Sequence, residues 1–458
     1  MALGVALAAT APASNELTVY NQGFGLVKEV RTIDLKAGRQ TVAVEDVASM
    51  IEPASVSIHS LTDADSFEVL EQNYQFDLIS PIAILNKSVG NRVRFVRTLG
   101  TQRDVLEGTL ISAPTAIVGT PEGGSVHTYN GMVIRTDDGR IVLNPTGEIE
   151  VTEVPKGLIS KPTLLWDLES KKAGPNHIEL SYISRGMKWE ADYVLTLLES
   201  SKADVQGWVT IDHQSGGTWE DAKLKLLAGD VQRARPAAPE MDAIALGSQM
   251  RKGAGGGFQE ESLFEYHLYT LQRPATIRNK EIKQLSLLEG RNVPVVKRII
   301  VDATRQFGRF FPGEGEIGTG DIKPQVRVEF VNDQKSGMGM PLPRGRVKVY
   351  QRDKSGSVQL LGEDNIDHTP RDEKVSLVVG RSFDIRATRK RTEFRRITDR
   401  SVQETFEIEV RNRKDSAETV TVIERFWGDW TIQKKSQEFV KEDSTTAVFT
   451  VRLDPNET

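Results

Sequence analysis

From Asn15 onward, apolar and polar residues alternate in short runs, and turns rich in Gly, Pro, Asn and Asp break the runs. The stretch 404–412 is typical. Phe406, Ile408 and Val410 alternate with Glu407, Glu409 and Arg411, which puts one apolar and one charged face on a half-buried strand. Repeated along the chain, this pattern predicts a mainly β, multi-domain protein. Its modules are expected to be immunoglobulin-like β-sandwiches with a small inserted SH3-like or OB-like barrel.

The runs group into units. Residues 15–80 form an N-terminal β unit that opens with Leu17-Thr-Val-Tyr20 and the turn Asn21-Gln-Gly23. In 85–155, strands at 90–96, 105–111, 131–135, 140–143 and 150–152 follow one another closely between Gly-bearing turns, as a small barrel requires. Residues 160–330 begin a second β region, dense in aromatics and holding Trp166, Trp189, Trp208 and Trp219. Bulky strand aromatics usually pack inward, and exposed ones can stack on sugars. A Pro-, Ala- and Gly-rich stretch at 235–258 interrupts this region as a flexible linker or long loop. In 331–458 a ladder of strands with regular turns predicts a C-terminal sandwich, and Pro455-Asn-Glu-Thr458 follows a strand so closely that a further strand is expected beyond it.

Composition narrows the function classes. The 458 residues carry a net charge of −5, which gives no general attraction for nucleic acid. Cysteine is absent, so disulfides, thiolate catalysis and Cys-ligated metals are excluded together. Residues 1–14 read as the remnant of a secretory signal: a small-apolar run from Ala2 to Ala9, then an A-x-A pattern at Ala11 and Ala13. Export to the periplasm or cell surface follows from that reading. No later run reaches the roughly 20 apolar residues of a membrane helix.

Candidate chemistry is thin, and an enzyme is the less favoured reading. Asp212, His213, Thr218, Glu220 and Asp221 gather acid, base and hydroxyl near one loop, but without a nucleophile motif they read as a turn between strands. The six histidines are scattered, with no metal-ligand spacing. Glu363, Asp364 and Asp367 offer hard oxygens for calcium, but they lack the spacing of a calcium loop and read as a solvated turn. The glycine-rich stretches 253–257 and 313–320 lead into no helix and are not phosphate cradles. No cofactor is implied. Arg92, Arg94 and Arg97 read as the polar face of the small barrel. The most distinctive cluster is basic: Arg386, Arg389, Arg391, Arg395 and Arg396, with Lys390 and Arg400. It is a candidate patch for a protein or an anionic surface polysaccharide. Glu404, Glu407 and Glu409 could instead neutralise it across a hairpin turning near Asp399.

Several blocks resemble a known family. They are Ser181-Tyr-Ile-Ser-Arg-Gly-Met-Lys-Trp-Glu-Ala-Asp-Tyr193, Phe264-Glu-Tyr-His-Leu-Tyr269, Pro274-Ala-Thr-Ile277, Pro341-Leu-Pro-Arg-Gly-Arg-Val-Lys-Val-Tyr350 and Gly428-Asp-Trp430. Together they are similar to the bacterial DUF4139 domain-containing proteins, which include the mucoidy-inhibitor-like proteins. The likeness covers roughly 160–458, and 15–80 resembles the β segment that often precedes that domain. Mucoidy-inhibitor-like members carry a coiled coil between the two, where this chain has the small barrel. The resemblance implies a fold and an envelope location, and no catalytic residues. The expectation is a non-enzymatic envelope or periplasmic binding or scaffolding protein. It would dock a protein partner through exposed β edges or the basic patch; the alternative is a glycan-acting hydrolase or a polysaccharide-binding protein.

Overall fold

The structure, a computed structural model, describes residues 7–99, 102–119, 125–129, 131–198, 201–233, 258–304 and 318–458. The linker at 235–257, the glycines at 253–257 and most of 313–320 lie outside the described residues. The chain is mainly β, in several sheets. Period-two alternation becomes burial directly: in Gly174–Arg185, Ile178, Leu180 and Tyr182 are fully buried while the residues between them face outward. A tight turn at Gly186, with φ +77°, leads into Met187–Leu197, and a Cβ there would stand 2.7 Å from the Met50 sulfur.

Three sheets form most of the main core, and Val328, Phe330, Val375 and Leu377 of a fourth add to it. The largest runs Phe258–Leu263, Tyr266–Leu271, Trp219–Ala228, Ser14–Tyr20, Phe24–Leu35, Gly174–Arg185, Ser57–Ser60, with Ala275–Ile277 added beside Trp219–Ala228. A second runs Leu7–Ala8, Gly38–Glu45, Thr163–Ser170, Phe67–Gln75. The third runs Glu281–Pro294, Lys202–His213, Met187–Leu197, Gly345–Arg352, Val358–Ile366. Leu17, Val44, Trp166, Trp189, Leu224 and Val347 belong to one continuous cluster. Residues 15–80 therefore do not form a sheet of their own. Phe24–Leu35 pairs with Gly174–Arg185 over its whole length, and Gly38–Glu45 pairs with Thr163–Ser170. Alternation predicts that a strand exists, but not which distant strand will cover its apolar face. Part of the segment read as a signal remnant is also tied in: Leu7 lies opposite Val42 in a parallel pair, and Ala13 N–H donates to the Val30 carbonyl at 2.7 Å.

The C-terminal sandwich packs two sheets face to face. One is ordered Lys374–Arg381, Gln325–Val331, Val296–Asp302, Glu418–Arg425, Thr446–Leu453, Phe439–Lys441, and the other Gly320–Ile322, Ile385–Thr398, Ser401–Asn412. Ile299, Val301, Ile385, Ala387, Val420 and Val422 fill the space between. Its strands begin at Val296, well before 331. The Gly345–Arg352 strand leaves for the main body, where it pairs in parallel with Met187–Leu197.

The small module is an insertion. Its five predicted strands appear as Ile141–Leu143, Val133–Thr136, Gln102–Leu110, Arg92–Leu99 and Glu148–Val151, in that sheet order. The outer two do not pair with each other among the described residues, so the sheet stays open. Helix Pro81–Lys87, N-capped by Ser80, contributes Leu85 to a separate core with Val93, Phe95, Leu110 and Ile134. The module leaves from Gln75 and returns at Thr163, which are opposite each other in an antiparallel pair. Its departure and return strands are linked again by Ile79 N–H donating to the Ile159 carbonyl at 2.9 Å. An independent core on two adjacent tethers is the geometry in which insertion or removal is tolerated. Replacing 80–158 with a short Gly/Ser turn is therefore expected to leave the rest folded, with the main thermal transition moved by no more than a few degrees. Loss of the near-ultraviolet circular dichroism of the buried tryptophans in that variant would show that the module is integral instead.

Candidate functional site

The basic cluster lies on one long hairpin, Ile385–Thr398 paired with Ser401–Asn412. At its root, Gly320–Ile322 pairs with Ala387 to Arg389. Beyond that point no other strand joins the hairpin among the described residues, and its outer part is exposed, with Ile397 and Val402 at 53% and 39%. Register shifts between Arg391 and Glu393 and between Arg396 and Thr398 mark two bulges. A bulge changes which residues point to a given face. Ile385, Ala387, Arg389 and Arg391 therefore share the inner face with Phe394 and Arg396, whereas Arg386, Lys390 and Arg395 point outward.

This phase divides the predicted patch, and two of its five members are corrected. Arg389 is 1% exposed and belongs to the core of the sandwich. Its Nε donates to both oxygens of Glu424 at 3.0 and 3.1 Å, Nη2 to Glu424 Oε2 at 2.9 Å, and Nη1 to the Gly318 carbonyl at 2.8 Å. The guanidinium lies 3.9 Å from the centre of the Phe406 ring. Burial pushes the Glu424 carboxyl up from its ordinary value, with Arg389 pulling the other way. Arg391 is also turned inward: its Nη1 donates to Glu404 at 2.8 Å and its guanidinium stands 4.9 Å from the Phe394 ring centre. Arg386, Arg395 and Arg396 are exposed. Arg386 stacks at 5.7 Å over the exposed Phe383, and Arg395 makes a long 3.9 Å contact with Glu393.

The acidic neighbours behave in different ways. Glu404 takes up Arg391 across the hairpin, Glu409 pairs with Arg411 of its own strand at 3.0 Å, and Glu407 lies opposite Lys390 in register. What is left for a partner is the outer hairpin, with Arg395, Arg396 and Arg400 beside Ile397 and Val402.

The other sequence candidates are placed as follows. His213 is buried, and its Nε2–H donates to the Gly217 carbonyl at 2.8 Å while the ring packs 5.0 Å from Trp219. Its Nδ1 is buried with no partner, and burial lowers its pKa. Thr218 Oγ1 accepts from Asn279 N–H, and Asp212 accepts from Gln214. The imidazole is thus committed to a loop carbonyl and an aromatic wall, and the residues make a turn scaffold. Glu363 is exposed, whereas Asp364 accepts the Val378 N–H at 2.7 Å, so the two do not converge. No group of three or more His, Asp or Glu suited to a metal occurs among the described residues. In the small module Arg92, Arg94 and Arg97 are paired with Asp137, Glu107 and Asp104 respectively. No described helix is long and apolar enough to cross a membrane.

Compared with known proteins, the chain matches no family model and no curated protein.

Proposed function

We propose that this chain is a non-enzymatic binding or scaffolding protein of the bacterial cell envelope, exported and of the DUF4139 type, that docks a protein partner through its projecting hairpin. The supporting observation is the outer half of Ile385–Thr398 and Ser401–Asn412: a two-stranded ribbon that no other described strand joins, with exposed apolar residues and the exposed Arg395 and Arg396. Free edges accept an added strand through main-chain hydrogen bonds, and flanking charges set orientation and partner choice. The export reading rests on the A-x-A pattern at Ala11 and Ala13.

The test is a crosslinking pull-down from cell-envelope fractions with the wild type and an Arg395→Glu/Arg396→Glu variant. Both positions are exposed and far from the sandwich core, so the variant is expected to melt like the wild type. The expected result is a discrete partner retained by the wild type and lost by the variant. Equal retention by both, or a partner found only in cytosolic fractions, would overturn the reading.

A further inference from the structure

Three of the four tryptophans in 160–230, Trp166, Trp189 and Trp219, are core residues, whereas Trp208 is 37% exposed. The cause is strand phase. In Lys202–His213, Ala203, Val205, Val209 and Ile211 point into the main core, and Gln206, Trp208 and Thr210 point away from it. Register sets Trp208 between Asp192 on one neighbouring strand and Ser286 on the other, on the second strand of the five-stranded sheet. Five strands at about 4.8 Å spacing make a platform about 20 Å across.

The surroundings of the indole are polar and internally satisfied. Thr210 Oγ1 donates to Asp192 at 3.0 Å, Arg346 donates to the other Asp192 oxygen at 3.1 Å, and Gln284 Nε2 donates to Thr210 at 3.3 Å. Gln206, Gln284 and Ser286 are exposed. The indole N–H of Trp208 has no partner among the described residues. Tyr350 reaches the same face two strands away, in phase with Arg346 and Lys348.

We infer that this face binds a neutral polysaccharide, with Trp208 as the stacking platform. A pyranose ring has an apolar C–H face that packs on an indole and a rim of hydroxyls that needs donors and acceptors. An indole ringed by amide and hydroxyl side chains supplies both. Charge gives an anionic chain no net attraction: Glu190, Asp192, Asp204, Asp212, Glu289 and Glu363 share this face with Lys188, Lys202, Arg346, Lys348 and Arg352, so the two signs nearly cancel. Composition argues against a protein hot spot, where the anchoring aromatic sits in a water-excluding apolar pocket. The site is distinct from the hairpin and stands whether or not the hairpin docks a partner.

Affinity electrophoresis of the full chain through gels containing hydroxyethyl cellulose, laminarin or galactomannan tests the inference, with alginate as the anionic control. Retardation is expected in at least one neutral gel and not in alginate. Trp208→Ala should weaken it by about tenfold or more, and Gln206→Ala/Gln284→Ala by a smaller factor, with Arg395→Glu/Arg396→Glu unchanged. An unchanged thermal melt for Trp208→Ala separates lost stacking from lost folding, and the Gln206→Ala/Gln284→Ala variant probes the same face without touching the indole. Migration unaffected by all three neutral polysaccharides would overturn the inference. So would retardation that survives Trp208→Ala in full, or retardation by alginate alone.

Discussion

Replacing Arg389 with alanine is expected to destabilise the C-terminal sandwich by about 3–5 kcal/mol, the range for removing one partner of a buried ion pair. The guanidinium makes three contacts to Glu424 and one to the Gly318 carbonyl, in a place where its own exposure is 1% and that of the Glu424 side chain 4%. Without it, a carboxylate is left in the core with Asp302 also nearby, and burial already pushes the Glu424 carboxyl up. A carboxyl whose folded pKa lies above its unfolded value stabilises most when protonated, and that contribution is lost as pH rises through the folded value. The deficit of Arg389→Ala should therefore be smallest near pH 4 and deepen toward pH 8. Removing both charges, as Arg389→Met/Glu424→Leu, should recover much of the loss, because a buried pair replaced by apolar groups is often near neutral. Urea unfolding at several pH values reads these effects. A loss below about 1 kcal/mol for Arg389→Ala at neutral pH would mean that the pair is not buried as described.

That residue also shows what was legible in the sequence and what was not. The strand from Ile385 was legible, and so was its apolar phase, since Ile385, Ala387 and Arg389 are spaced by two. Read strictly, that spacing points Arg389 inward with the core. The pull of a charged cluster outweighed it, because nothing local reveals the carboxylate that makes burial possible. Glu424 lies 35 residues away and is itself in phase with Val420 and Val422. The bulge after Arg391, which returns Arg395 to the outer face, has no glycine or proline to announce it. Trp208 departs from expectation in the opposite direction. Bulky strand aromatics usually pack inward, but the alternation set by Val205 and Val209 turns Trp208 to the outer face. Partner choice was the least legible feature throughout. Leu17, Val27 and Trp166 announce buried faces, but the strands that meet there come from opposite ends of 15–230.

The main core contains a second inward charge of this kind, and Glu29→Gln is expected to cost about 3–5 kcal/mol although it conserves shape. Glu29 is 2% exposed and Arg31 is 3%, and both are in phase with Val27 and Ile33. Arg31 donates to Glu29 Oε2 through Nε at 2.8 Å and Nη2 at 2.6 Å, and through Nη1 to the Glu45 carbonyl at 3.0 Å. The other oxygen, Oε1, accepts from the Tyr182 hydroxyl and the Trp219 indole N–H, both at 3.2 Å. One carboxylate thus joins three strands of the large sheet, while Arg31 reaches the adjoining sheet at Glu45. An amide cannot replace it. With the oxygen toward Arg31, the NH2 faces the Trp219 N–H, a donor with no acceptor function; reversed, it faces the guanidinium. In either orientation a buried donor loses its partner, and Arg31 stays charged without a counter-ion. The hydroxyl of Tyr182, held well above its ordinary pKa by burial and by the charge of Glu29, should titrate more easily in the variant. Thermal denaturation followed at the buried tryptophans is expected to shift down by on the order of 10 °C. A shift of less than about 2 °C would show that water or an alternative acceptor reaches Arg31, and that the network does not hold the two sheets together.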